Sequence, residues 1–208
     1  MTGTYPLWLD REPLVLASKS AIRLQMLRAA GLPVDVVPAE MDERSVEDEA
    51  RVGGADAAGV AVALAREKAR AVSRARPGRI VLGADQTLDL GGDALHKPVD
   101  LDAARAQLRH MSGRRHTLHS AAAIARSGEV LAVAASMATL AMRPLSDAMI
   151  DRYCMHAGAA ILDSVGAYQL EGPGIHLFET IEGDHFTILG LPLLDILAAL
   201  RDLHHVAR

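Results

Sequence analysis

Two short, continuous apolar runs, each ending on polar side chains, leave this chain few folds to choose from. Leu14-Val15-Leu16-Ala17 leads into Ser18-Lys19-Ser20, and Ile80-Val81-Leu82-Gly83-Ala84 leads into Asp85. Runs this short are strands, and runs without polar alternation are strands covered on both faces. A helical pattern follows the first run over residues 21–30, through Ile22, Met26, Leu27 and Ala30, with Gly31 as its stop. A second strand is expected at 34–37, an acidic loop at 40–43, and a long Ala-rich helix carrying Lys68 over 55–74. Strands alternating with helices in this way build α/β folds.

The second half breaks the alternation. Residues 87–90 and 93–95 flank Gly91-Gly92 and read as a hairpin, so Asp85 is expected at the carboxyl end of its strand. Residues 102–111 are helical, and 116–125 and 130–142 read as two long strands joined at Ser127-Gly128. Ser146 caps a helix that reaches His156, with Gly158 beyond it. A glycine-containing loop at 163–174 precedes a last pair of strands, and Pro192 opens a final amphipathic helix. The expectation is a mixed-sheet α/β protein occupying residues 1–208 as one domain, without a linker or an internal repeat.

Composition removes several classes of function. The chain has 22 Lys+Arg against 26 Asp+Glu, a net charge of −4, and 3% aromatic residues. Neither broad binding of polymeric nucleic acid nor a base-stacking platform fits that balance. No apolar run approaches the ~20 residues a membrane helix needs. Cys154 stands alone, so no internal disulfide and no Cys-rich metal knuckle can form. With no basic segment and apolar run at the start, the chain is expected to be cytoplasmic.

Five clusters carry possible chemistry. Ser18, Ser20 and Arg23 sit where a strand feeds a helix start, so free N–H groups, hydroxyls and a guanidinium could hold a phosphate. The alternative is a capping serine beside a surface arginine. Asp85, next to Gln86, suits a divalent metal or a water proton, and otherwise turns the chain. Pro98 could aim Lys97 into a cleft, and otherwise Lys97 is a solvated side chain. Asp42 and Glu43 are candidate metal ligands, or a solvated acidic turn. Glu171, in a loop with three glycines between 166 and 174, could accept from a base edge. His116 and His119, three apart on a strand, face opposite sides and make a poor metal pair. Neither a P-loop nor a GxGxxG motif is present.

Taken in order, LASKSAIR (16–23), MDE (41–43), REKA (66–69), GADQ (83–86), HKP (96–98), GAYQLEG (166–172) and GDHFTILGLPL (183–193) resemble the Maf family. The resemblance spans about residues 14–200. It implies a mixed, elongated sheet flanked by helices, with two lobes around a deep cleft, as in inosine triphosphatases. It also implies hydrolysis of a nucleoside triphosphate to monophosphate and pyrophosphate, with Mg²⁺ or Mn²⁺ as cofactor, and a homodimer. By position, Ser18, Ser20 and Arg23 would enter the phosphate site. Asp85 and Glu43 would form the acidic pair that holds metal, with Asp85 taking the proton. Lys68 and Lys97 would neutralise phosphate charge. Gln86, Glu171 and Ser164 match the family members that act on 7-methyl-GTP, whereas Ile22 matches neither that subgroup nor the pyrimidine-preferring one. A carboxylate can accept both neighbouring donors of guanine, which favours a modified purine. The alternatives are a preference for dTTP and UTP, or a nucleotide-binding regulator of cell division with little turnover.

Overall fold

The computed structural model describes residues 5–208. Its strands are β1 (Leu14–Leu16), β2 (Val34–Val36), β3 (Val81–Leu90), β4 (Asp93–Leu95), β5 (Arg115–Arg126), β6 (Glu129–Met142) and β7 (Phe178–Glu182). Its helices are α1 (Ala21–Ala29), α2 (Glu43–Val52), α3 (Ala57–Ala75), α4 (Leu101–Met111), α5 (Asp147–Ala157), α6 (His185–Ile188) and α7 (Leu193–Asp202), with 3₁₀ turns at Gly158–Asp163 and Pro173–Leu177. The strands form one mixed sheet in the order β2-β1-β3-β5-β6-β7, with β4 paired to β3 beside β1. The β1–β2 and β1–β3 pairs are parallel and the remaining pairs antiparallel.

One property of this register positions everything that follows. β5 pairs with β3 from Val81↔Ala125 to Asp89↔Thr117, along nearly the whole strand. On the opposite edge β1 reaches only Leu16↔Leu82, and β4 begins at Leu88↔Leu95. Residues 83–87 therefore have no strand on that edge among the described residues. The sheet divides there, and apolar side chains gather on either side of the division. One cluster joins Leu14, Leu16, Leu27, Leu82, Ile196 and Leu200. The other joins Leu88, Leu108, Leu118, Leu140, Tyr153 and Leu177.

Helix α3 crosses the sheet opposite the gap. Ala61, Ala65 and Ala69 meet Ala121, Ala123 and Ala125, all of them buried. Side chains this small let the helix backbone approach the strands closely. Thr87 reinforces the contact by donating its hydroxyl to the Ala57 carbonyl at 2.8 Å. Helix starts are fixed locally: Ser20, Asp42, Asp56, Asp100 and Ser146 each accept a backbone N–H from the first turn. Gly158, at φ 60°, follows α5 as the sequence indicates.

Three expectations need correction. Asp85 does not end a strand, because β3 continues through it to Leu90. The long register with β5 carries the strand past this charge. The acidic segment is not a loop throughout: Asp42 is the cap of α2, accepting from the N–H groups of Arg44 and Ser45, and Glu43 is the first helical residue. That use of Asp42 answers for its carboxylate as a helix cap. The last strand pair is a single strand, β7, because residues 185–188 turn into α6 beneath the Asp184 cap. No described helix is long and apolar enough to cross a membrane.

His116 and His119 point to opposite faces, as the two-residue period requires. His116 is buried, its Nε2 lies 2.8 Å from the Tyr168 hydroxyl, and Nδ1 has no partner. Burial pushes its pKa down to about 4. Between that value and the ordinary 6.5 the unfolded chain binds a proton that the folded chain refuses. Stability is therefore complete above about pH 6.5 and is lost as pH falls toward 4. Urea unfolding at pH 7 and pH 5 is expected to differ by about 2 kcal/mol from this residue. His116→Gln should flatten that difference, and an unchanged slope would count against it.

Candidate active site

The site forms at the gap in the sheet, where four elements deliver charged side chains. From β1 the chain turns through Ser18 and Ser20 into α1. Ser20 serves as the cap of α1, accepting from the Arg23 N–H at 3.4 Å. This matches the local alternative for Ser20. The companion alternative, a surface arginine, fails. Arg23 is buried at 9% exposure and donates to three oxygens. Nε reaches the Gly190 carbonyl at 2.8 Å, and Nη1 reaches the Ala84 carbonyl at 2.8 Å and Ser18 Oγ at 3.1 Å. The Ala84 carbonyl is free for this bond because it faces the unpaired edge of β3. Burial lowers the Arg23 pKa, opposed by the nearby Asp85 and Glu43 carboxylates. A guanidinium stays charged through such a shift.

Asp85 stands on the α3 face of β3. Lys68, on α3, donates Nζ to Asp85 Oδ1 at 2.5 Å and lies 3.0 Å from Glu43 Oε1 on α2. Lys68 and Asp85 are buried, whereas the Glu43 side chain is 59% exposed. One ammonium thus bridges two carboxylates that are 42 positions apart in sequence, 85 against 43. Among the described residues no group of three or more His, Cys, Asp or Glu could by itself hold a metal ion.

The other sequence candidates fall differently. Lys97 is exposed and has no ion-pair partner among the described residues. It lies two residues past the Leu88↔Leu95 pair, on a segment heading back toward Gln86. Its neighbour His96 comes within 3.9 Å of Glu47 on α2. Ile22 is half-buried on α1, and Glu171 is exposed. Gln86 faces away from Asp85, on the other side of the sheet, as adjacent strand residues must. There its Nε2 donates to Ser120 Oγ and to the Thr187 and Ile188 carbonyls at 3.0, 3.1 and 3.0 Å. Ser120, Thr187 and Gly190 were not singled out by sequence reasoning. They lack charge, and only the GDHFTILGLPL stretch around two of them gave any signal.

Fold and site together define an α/β protein with a charged opening in its sheet. Buried cations and carboxylates face one another there, an arrangement suited to small polyanions. Residues 13–203 match the family described as Maf-like protein. A nucleoside triphosphate pyrophosphatase of Rhodopseudomonas palustris (strain BisB18) is 52% identical, over 94% of this chain and 96% of its own length. A 7-methyl-GTP pyrophosphatase of Mesorhizobium japonicum is 51% identical over 92% and 96%. Another bearing that name, from Brucella abortus, is 50% identical over 90% and 94%. The chain belongs to the Maf family.

Proposed function

We propose that this protein hydrolyses nucleoside triphosphates between the α- and β-phosphates, releasing a nucleoside monophosphate and pyrophosphate. The observation that carries the reading is the Lys68 bridge between Asp85 and Glu43, beside the buried Arg23. Hydrolysis of a phosphoanhydride needs charge neutralisation and an oriented water more than covalent chemistry. Arg23, whose Nε and Nη1 hydrogens go to Gly190, Ala84 and Ser18, offers its Nη2 hydrogens to a phosphate oxygen, with Ser18 held beside it by a 3.1 Å bond. Lys68 supplies a point charge in a place where solvent is largely excluded. Asp85 is the group to hold the proton of the attacking water, because it is the better buried of the two carboxylates. Lys97 and Glu171 would join from the exposed rim once substrate is present.

A divalent cation fits this donor set. Asp85 and Glu43 are hard oxygen donors, and Mg²⁺ commonly takes one or two carboxylates with the substrate's phosphates completing its shell. When bound it would neutralise phosphate charge and polarise the scissile anhydride. The Lys68 ammonium then holds both carboxylates in place before substrate arrives. The resemblance also implies a homodimer, which light scattering tests directly.

The substrate class is tested by pyrophosphate release from 7-methyl-GTP, GTP, UTP, dTTP and 5-methyl-UTP, with Mg²⁺ or Mn²⁺ and with chelator. Preference for 7-methyl-GTP is expected, with Glu171 accepting from the guanine edge. Loss of at least about a hundredfold on chelation is expected. Preference for the pyrimidines would remove the assignment of Glu171. Phosphate as first product would remove the pyrophosphatase reading. Tight binding without release from any of them would favour a nucleotide-binding regulator.

A further inference from the structure

We infer that the buried hydrogen bond between His116 and Tyr168 positions Glu171 for the base, which makes His116 a positioning residue for substrate choice. The inference rests on the base-reading role given to Glu171 above. His116 comes from β5 and is 2% exposed, and Tyr168 comes from the loop that carries Glu171 and is 6% exposed. The Tyr168 hydroxyl lies 2.8 Å from His116 Nε2, and neither side chain has another hydrogen-bond partner among the described residues. Phe178 of β7 closes the group, with its ring edge-on to Tyr168 at 4.7 Å between centroids. Apolar contact alone would let the tyrosine ring slide. A hydrogen bond enclosed by rings fixes both its distance and its direction.

The chain bends to reach that seat. Ala167, immediately before the tyrosine, holds φ at 54°, a left-handed conformation unfavourable to alanine. A Cβ at Gly166 would overlap the Tyr168 ring and stand 3.1 Å from Leu88 Cδ1. Leu88 is two residues beyond Gln86 on β3, hence on the same face of the sheet. The loop is thus packed on the face that Gln86 occupies, at the border of the gap.

From Tyr168 the position is passed to Glu171 over three residues. The Gln169 N–H donates to the Tyr153 hydroxyl at 3.3 Å, and Gln169 Nε2 donates to the Ala160 carbonyl at 3.2 Å. The Gln169 carbonyl accepts from the Gly172 N–H at 3.3 Å. That bond closes a four-residue turn in which Glu171 is the third member and the buried Leu170 the second. The backbone of Glu171 is therefore fixed while its carboxylate stays exposed. Of these bonds, only the one to His116 runs to the sheet that carries Asp85. It sets how far Glu171 stands from the phosphate site.

The test compares a ligand with a base and a ligand without one. Dissociation constants for 7-methyl-GMP and for inorganic pyrophosphate, each with Mg²⁺, are measured by calorimetry. The proteins are the wild type, Glu171→Ala, Tyr168→Phe, His116→Phe, His116→Gln and the double variant of Tyr168→Phe with Glu171→Ala. Tyr168→Phe and His116→Phe each delete the bond and keep an aromatic ring. Each is expected to weaken 7-methyl-GMP about fivefold and pyrophosphate by less than about twofold. A glutamine amide can still bond the tyrosine hydroxyl, so His116→Gln should bind 7-methyl-GMP within about twofold of the wild type. Glu171→Ala is expected to weaken 7-methyl-GMP about thirtyfold. On that background Tyr168→Phe should cost nothing further, because its effect passes through the missing carboxylate.

Equal weakening of both ligands in Tyr168→Phe would make the pair a feature of the fold alone and overturn the inference. So would unchanged affinity for 7-methyl-GMP, or a full penalty from Tyr168→Phe on the Glu171→Ala background. Tyr168→Phe removes a single oxygen, so it decides the matter if His116→Phe fails to fold. The two readings fail differently. If Glu171→Ala matches the wild type on 7-methyl-GMP, or the wild type fails to bind either ligand, the base-reading role falls and the inference with it. If Glu171→Ala weakens 7-methyl-GMP and Tyr168→Phe does not, the inference alone falls.

Discussion

Asp85→Asn is expected to lower pyrophosphate release by about a thousandfold while the protein stays folded. Asparagine preserves the size of the side chain and an oxygen for Lys68, but it cannot hold a proton taken from water. It also halves the pair of carboxylates available to a divalent cation. The backbone should tolerate the change, because Asp85 sits within a strand paired on its other edge to Ala121. Lys68 keeps Glu43 at 3.0 Å and so does not become an unpaired buried charge. The readouts are single-turnover pyrophosphate release and the thermal midpoint, measured on the same sample. Retention of more than about a tenth of wild-type release would remove Asp85 from the chemistry. Loss of release with a collapsed thermal midpoint would instead make it a residue of the fold.

Gly83→Ala carries the largest expected cost in stability, about 3 kcal/mol or more. Its φ is unremarkable, so the requirement is space. A Cβ at this position would lie 2.3 Å from the Ala65 carbonyl oxygen and 2.5 Å from the Ala69 nitrogen, both backbone atoms of α3. Backbone cannot rotate away as a side chain can, so the methyl must push α3 off the sheet. A thermal midpoint lower by about 6–12 °C follows for a chain of this size. Gly78→Ala is the control. Its φ is +80°, with nothing within 4 Å of the added Cβ, so only backbone strain of about 1–2 kcal/mol is paid. Equal losses at the two positions would show that close approach is not what Gly83 supplies. Activity should fall further than stability in Gly83→Ala, since the displacement separates Lys68 from Asp85.

These two residues are neighbours but one in the sequence, and they explain each other. Gly83 allows α3 to touch β3, and the contact places Lys68 on Asp85. The alanines at 61, 65 and 69 extend the same close approach along β5. A bulky residue at any of them would have to move the helix. The site is thus held by the smallest side chains in the chain as much as by its charges.

Much of the architecture follows from short-range rules. Ser20 and Ser146 as caps, Gly31 and Gly158 as stops, the turn at Ser127-Gly128 and the face of α7 each depend on a few neighbouring residues. Hydrogen bonds and apolar periodicity over one or two turns suffice to specify them. The chemical types in the site were legible for the same reason: carboxylates, cations and hydroxyls keep their character wherever they fold. Tertiary structure decided where they act. Asp85 lies within a strand because β5 pairs past it, and Glu43 begins a helix because Asp42 is committed as its cap. Arg23 is buried because Gly190, 167 residues away, and Ala84 supply carbonyls that no local pattern announces. Gln86 is turned to the opposite face by the pleat and claimed there by α6. Local sequence determined the elements and their chemistry, because those energies arise between near neighbours. The meeting of Arg23, Lys68, Glu43 and Asp85 depends on contacts between distant segments, which exist only once the sheet and α3 have packed.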